Sequence, residues 1–338
     1  MGASPVAMFH LQISTIGRGT GRRATAAAAY RAGERIRDER SGELHNYSRR
    51  RDVLHTEIFL PSQFDASEAA WARNRERLWN AVEHVEKRHN ARVAREYQVT
   101  LPSELSAAQR VALARAFSRE IAERYKVAVD LAVHEPRPEG DARNFHAHLL
   151  TTTREVTPAG LGAKAALEIS GRERRRRELP DHRQEYVSVR ERWATLTNEA
   201  LREANVAARI DHRSLAAQGI DREPRPSIPL MHLKMEQRGL RSEVAERLRA
   251  EYAGRVQRRL QHSAETAREQ GVSTATATGK ATAERSHPDA PPAAPSNDLE
   301  EIRRQAREAW LRLRPKEAER SAEQSPDNVL HPEDDRAL

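Results

Sequence analysis

Cysteine is absent from all 338 residues, which excludes disulfides and every thiolate-ligated metal site. Any metal must then sit on histidine and carboxylate ligands. Long apolar runs are also missing. The one nearest the start, residues 8–13, is interrupted by His10 and Gln12, so neither a signal peptide nor a membrane span is expected, and a cytoplasmic protein is the default reading. No internal repeat is present. The glycine-rich stretch 17–22, G-R-G-T-G-R, lacks the lysine-serine/threonine ending of a nucleotide-binding phosphate loop.

What the sequence does hold is positive charge, mostly as arginine. Lys plus Arg number 58 against 50 for Asp plus Glu, a formal surplus of +8 with a pI of about 10.1. Such a surplus suits a polyanionic partner, because neutralising phosphates releases condensed counterions. Hydrophobic residues make up 38% and charged residues 32%, enough for a core in the first two thirds but thin over the whole length. One catalytic domain followed by a tail fits these numbers.

Residues 8–16 alternate, Phe9, Leu11 and Ile13 against His10, Gln12 and Ser14, as a half-buried strand does. After the turn marked by Gly17, Gly19 and Gly21, residues 20–36 predict a helix in which Ala26 to Ala29 precede Tyr30 and permit close approach of another backbone. Residues 53–60 predict a second strand, closed by Pro61. A long helix is expected over 67–92, where Trp71, Leu78, Trp79, Val82 and Val85 recur at helical spacing. Residues 93–101 form the third strand, with Glu96 and Gln98 on one face and Tyr97 and Val99 on the other. A helix over 106–125 and strands over 127–134 and 144–153 follow.

Past residue 153 the chain reads as basic loop, including the run 172–177, before a helix over 185–208. Residues 209–221 look compact and ordered, and Pro224, Pro226 and Pro229 then break the pattern. The expected architecture is α+β: a central antiparallel sheet of about five strands with helices packed on it, a C-terminal helical extension and a disordered tail. The expected divisions are 8–225 for the catalytic domain, 226–262 for the extension and 263–338 for the tail, with a short helix near 299–313.

The chemistry concentrates on the last two strands. His134 ends one, and His146 and His148 lie on the next, where positions i and i+2 face the same side. Antiparallel pairing would bring His134 to the same spot, giving a divalent-metal site with positions open to substrate. The alternative is that a chain with 14 histidines groups three by chance, although two imidazoles in an apolar strand are costly without partners. Three imidazoles suit Mn, Co, Ni or Zn and tolerate Mg poorly.

The segment N-F-H-A-H-L-L at 144–150, preceded by L-A-V-H-E-P at 131–136, resembles the third motif of the MobA/MobL plasmid mobilisation relaxases, within the histidine-hydrophobe-histidine class. A-A-A-A-Y-R-A-G at 26–33 is similar to their first motif. The run from Trp79 to Pro102 resembles the middle motif, and A-R-I-D-H-R-S-L-A-A-Q-G-I-D at 208–221 resembles the segment that closes their catalytic domain. The resemblance spans about residues 8–221. It implies that Tyr30 attacks DNA, that Glu96 is the acidic residue near tyrosine and metal, and that His134, His146 and His148 hold one divalent ion. Asp211 and His212 read as structural turn residues.

The implied activity is nicking of one strand at a plasmid transfer origin, through a 5′-phosphotyrosyl link and a free 3′-hydroxyl, in a bacterial cytoplasm. A carboxylate such as Glu96 would accept or orient the phenolic proton, since a phenol of pKa about 10 is mostly protonated at neutral pH. The implied partners are single-stranded origin DNA, accessory relaxosome proteins and a coupling protein, and the 17–22 stretch is expected to touch the DNA backbone. Two other readings use the same residues. A rolling-circle replication initiator shares the chemistry, but its tyrosine usually follows the histidine motif, whereas Tyr30 precedes it. A non-catalytic basic DNA-binding module would keep the histidines for the fold alone.

Overall fold

The computed structural model describes residues 7–64, 67–138 and 141–275. These fall into two compact units, one ending at His212 and the other beginning at Arg213. The first unit is built on a five-stranded antiparallel sheet of β1 (Leu11–Gly17), β4 (Val53–Phe59), β5 (Arg92–Thr100), β6 (Val129–His134) and β7 (His146–Thr151), in the order β1-β5-β7-β6-β4. This is the α+β architecture read from the alternating runs. The short pair β2 (Arg35–Arg37) and β3 (Leu44–Asn46) precedes β4 in the chain.

Each face of the sheet has its own apolar layer. On one face Tyr97, Val99, Leu131, Val133 and Leu149 pack with Phe117 and Ile121 of α4 (Ala107–Tyr125) and Trp193 of α6 (His182–Glu203). The rings of Phe117 and Trp193 lie 5.0 Å apart between centroids. Both helices begin at capping boxes, Ser106 with Gln109 and Asp181 with Gln184, which satisfy otherwise orphaned amides of the first turn.

On the opposite face, Ile16, Ala94 and Leu150 meet α1 (Ala24–Ala32) and α3 (Arg75–Val85) through Ala24, Ala28, Leu78, Trp79 and Val82. Small alanines let α1 lie close to its neighbours. Asp130 is buried in this layer, where it accepts from Arg75 Nε at 2.9 Å and from Trp79 Nε1 at 2.9 Å.

Several local expectations are corrected. The helix expected over 20–36 ends at Ala32, because Gly33 adopts the left-handed conformation (φ 65°) and caps it; Ile36 then belongs to β2. The helix expected over 67–92 is two pieces, α2 (Ala70–Arg73) and α3. They are separated at Asn74, which is extended and accepts from the Arg77 amide to start the second. The basic stretch after 153 holds a hairpin, β8 (Arg154–Thr157) and β9 (Gly160–Lys164), and a short helix α5 (Gly171–Arg176). Thr157 Oγ1 donates to the Gly160 carbonyl across its turn.

The second unit contains α7 (Leu230–Gln237) and α8 (Glu243–Ala275). It starts ahead of the expected division at 225/226, because Asp221 and Glu223 are paired with Arg259 and Arg255 of α8. α8 also continues beyond residue 262, where the extension was expected to end; alanine, glutamate, glutamine and arginine favour helix there. The rest of the 263–338 tail, with the helix expected near 299–313, lies outside the described residues. Among the described residues, no helix is long and apolar enough to cross a membrane.

Candidate metal centre and nucleophile

Antiparallel register brings the three histidines together. His134 of β6 is the direct cross-strand partner of His146 of β7, and His148 lies two residues along on the same face. One ring nitrogen from each lies within 4.8 Å of the others, and the ring centroids are 4.9 to 5.3 Å apart. His134 is buried, and the other two are half-buried.

The remaining nitrogen of each ring is tied to an acceptor, which fixes the tautomer. His134 Nε2 lies 2.7 Å from the carbonyl oxygen of Arg31, an atom that only accepts, so Nε2 carries the hydrogen and Nδ1 the lone pair. His146 Nδ1 donates to the Asn144 carbonyl at 2.9 Å, and His148 Nδ1 donates to Glu96 Oε1 at 2.7 Å. Each of these two rings therefore keeps its lone pair on Nε2. Burial pushes the His134 pKa down to about 3, with the charge of His148 acting in the same direction, and burial also lowers that of His146. Neutral imidazoles, each oriented by an outer hydrogen bond, are the form that ligates a divalent ion. On this chemistry the donor set fits such an ion.

Glu96 is buried on β5. Its Oε1 also accepts from Arg31 Nε at 2.5 Å, and Oε2 lies 3.4 Å from Ser14 Oγ. Desolvation alone would raise its pKa, but the hydrogen bonds from His148 and Arg31 hold it well below the usual carboxylate range. Glu96 makes no hydrogen bond to Tyr30. A carboxylate committed to these partners is a weak proton acceptor, and its geometry is that of a group that orients His148.

Tyr30 sits in the last turn of α1 and is 38% exposed. Its hydroxyl accepts from Arg137 Nη2 at 3.1 Å, and the Arg50 guanidinium lies 4.2 Å from its ring centre. The ring also meets Tyr47 edge-on, with centroids 5.2 Å apart. Arg50 links the tyrosine to the histidines: Nη1 donates to the Tyr30 carbonyl at 2.6 Å, Nη2 lies 3.4 Å from His134 Nδ1, and the same guanidinium pairs with Asp52. Arg31, the next residue along α1, supplies the carbonyl that holds His134. The end of α1 and the histidine cluster thus form one locality.

Arg50, Arg137 and Arg31 were not singled out in the sequence. A signal for Arg50 was present in the run Arg49, Arg50, Arg51 just before β4, but Arg137 carries no local mark. Asp211 and His212, read as turn residues, lie in the loop after α6 and outside this cluster. The 17–22 stretch borders a cleft of about 380 Å3 lined by Arg18, Gly21, Arg22, Arg23, Arg40 and Ser41.

Comparison with known proteins gives a consistent assignment. The chain is 40% identical over 242 residues to mobilization protein MobL of Acidithiobacillus ferridurans, covering 65% of this chain and 61% of that protein. It is 34% identical over 250 residues to a probable mobilization protein MobA of Bifidobacterium longum, covering 65% of this chain and 42% of the relative. The chain therefore spans less than two thirds of the length of these relatives. A solved structure described as the molecular basis of vancomycin resistance transfer in Staphylococcus aureus aligns with a TM-score of 0.51 at 29% identity, over 62% of this chain and 100% of that one. The family described as MobA/MobL matches residues 22–238, which take in the tyrosine, the buried glutamate and all three histidines, and the chain belongs to that family.

Proposed function

We propose that the chain is a relaxase that nicks one DNA strand at a plasmid transfer origin. The observation that carries this reading is the joining of Tyr30 to the histidine cluster. Arg50 touches both the Tyr30 ring and His134, and the carbonyl next in the chain holds His134 in its tautomer.

His134 Nδ1, His146 Nε2 and His148 Nε2 would hold one divalent ion. When bound, it offsets the charge that develops on a non-bridging oxygen of the scissile phosphate. Glu96 keeps His148 in place through Nδ1 and leaves the phenolic proton to water. Oη of Tyr30 attacks phosphorus as that proton departs. The bond from phosphorus to the 3′ oxygen breaks, and that oxygen takes up a proton to become the free 3′-hydroxyl. One phosphorus–oxygen bond forms and one is lost. The strand is left as a 5′-phosphotyrosyl diester that a new 3′-hydroxyl can reverse without nucleotide hydrolysis.

Arg137, at the attacking oxygen, and Arg50, over the ring, place two guanidinium groups where a phosphate must approach. The arginine-lined cleft near α1 offers phosphate contacts farther along the strand. Accessory relaxosome proteins and a coupling protein belong to the same proposal.

Single-stranded oligonucleotides tiling the transfer region, incubated with the chain and Mn2+, test the reading on a denaturing gel. A covalent protein–DNA adduct is expected from the parent and none from Tyr30→Phe, with DNA binding kept by both. An adduct formed by Tyr30→Phe would remove Tyr30 from the role of nucleophile.

A further inference from the structure

Resting on the relaxase reading, we infer that Gln98 and Gln12 read base edges of the nucleotides beside the scissile phosphate, and so set part of the sequence preference. Cross-strand partners share a face, so the register lays out rows on the histidine side of the sheet. One row runs Ser14, Glu96, Leu150, Asp130, and its last three members are buried beneath α1 and α3 or in ion pairs. The next runs Gln12, Gln98, His148, Ala132. In this row the covering layer stops: Gln12 is exposed and Gln98 half-buried.

Neither carboxamide has a hydrogen-bond partner among the described residues. Each offers a donor and an acceptor from a rigid strand rather than from a loop. Strands lie about 4.8 Å apart, which puts the Gln98 position about one strand, and the Gln12 position about two, from that of His148. A strand whose phosphate sits at the histidines must carry its adjoining bases within reach of this row.

The row is also uncharged, whereas Arg50 and Arg137 flank the tyrosine. Phosphates are held by guanidinium groups, while neutral carboxamides pair with the donor and acceptor edges of bases, adenine above all. The arrangement thus divides the labour: arginines fix the backbone, and the two glutamines discriminate its sequence.

The test uses a single-stranded DNA library randomised at its central positions, incubated with Mn2+ and the parent chain, Gln98→Ala or Gln12→Ala. Covalently captured strands are then sequenced. The parent pool should show base preference at positions flanking the nick. Gln98→Ala should lose about five- to a hundredfold of that preference at one position and Gln12→Ala at another, with the other positions unchanged. Where an alanine variant melts below the parent, glutamine to methionine, similar in shape but without the amide, replaces it. Pools indistinguishable from the parent's would overturn the inference and leave the relaxase reading standing. A variant that melts like the parent yet captures nothing would overturn it as well, by placing the residue in the chemistry. Failure of the parent itself to capture any strand would overturn the relaxase reading and the inference with it.

Discussion

His148 Nδ1 donates to Glu96 Oε1 across 2.7 Å, and the same carboxylate oxygen accepts from Arg31, whose own carbonyl holds His134. One buried glutamate therefore fixes two of the three imidazoles, one directly and one through Arg31. Glu96→Gln keeps the shape but weakens the acceptor. It should lower metal affinity about 10- to 100-fold, read by titration with Mn2+ or Zn2+ against a competing chelator. Unchanged affinity would mean that His148 is oriented by its packing alone.

Arg137 donates to the Tyr30 hydroxyl, the oxygen proposed to attack phosphorus. Removing its hydrogen bond in Arg137→Ala should slow adduct formation about tenfold or more, while the Kd for a single-stranded oligonucleotide changes far less. Equal rates for variant and parent would take Arg137 out of the reaction.

Acid should destabilise the metal-free protein through the histidines. Burial lowers the His134 pKa to about 3, against about 6.5 in an unfolded chain. Between those values the unfolded state binds a proton that the native state refuses, so stability is full above the unfolded pKa and declines as pH falls. The slope from this group is up to about 1.4 kcal/mol per pH unit. Denaturant titrations with chelator at pH 7 and pH 5 should show the loss, and His134→Phe should show a shallower one. Identical pH dependence in the two proteins would contradict the assignment.

The layer beneath α1 and α3 depends on Asp130, which satisfies both Arg75 and the Trp79 indole. Asp130→Ala leaves a guanidinium and an indole N–H without their acceptor. It should cost about 3 to 5 kcal/mol in urea unfolding, as for other broken buried pairs. A loss under about 1 kcal/mol would show that water or Glu34 takes over.

Much of the site was legible because it is written in short-range pattern. The period of two in β5, β6 and β7 placed His146 and His148 on one face and told Glu96 from Tyr97. The short connection between β6 and β7 made antiparallel pairing, and hence the meeting of His134 with His146, the natural outcome. The apolar stripe that follows Ser106 likewise acts within a few residues of itself, so α4 was readable in place, whereas α6, expected over 185–208, runs from His182 to Glu203.

Only the tertiary structure decided what each of these groups touches. Arg50 reaches His134 across 84 residues of chain, and Arg137 reaches Tyr30 across 107. Glu96, expected to accept or orient the phenolic proton, is hydrogen-bonded to His148 and to Arg31, which lies 65 residues earlier in the chain. An arginine or a glutamate looks the same in sequence whether solvated or paired. Its partner, its charge state and its task are set by the packing of distant elements, and no local periodicity records that.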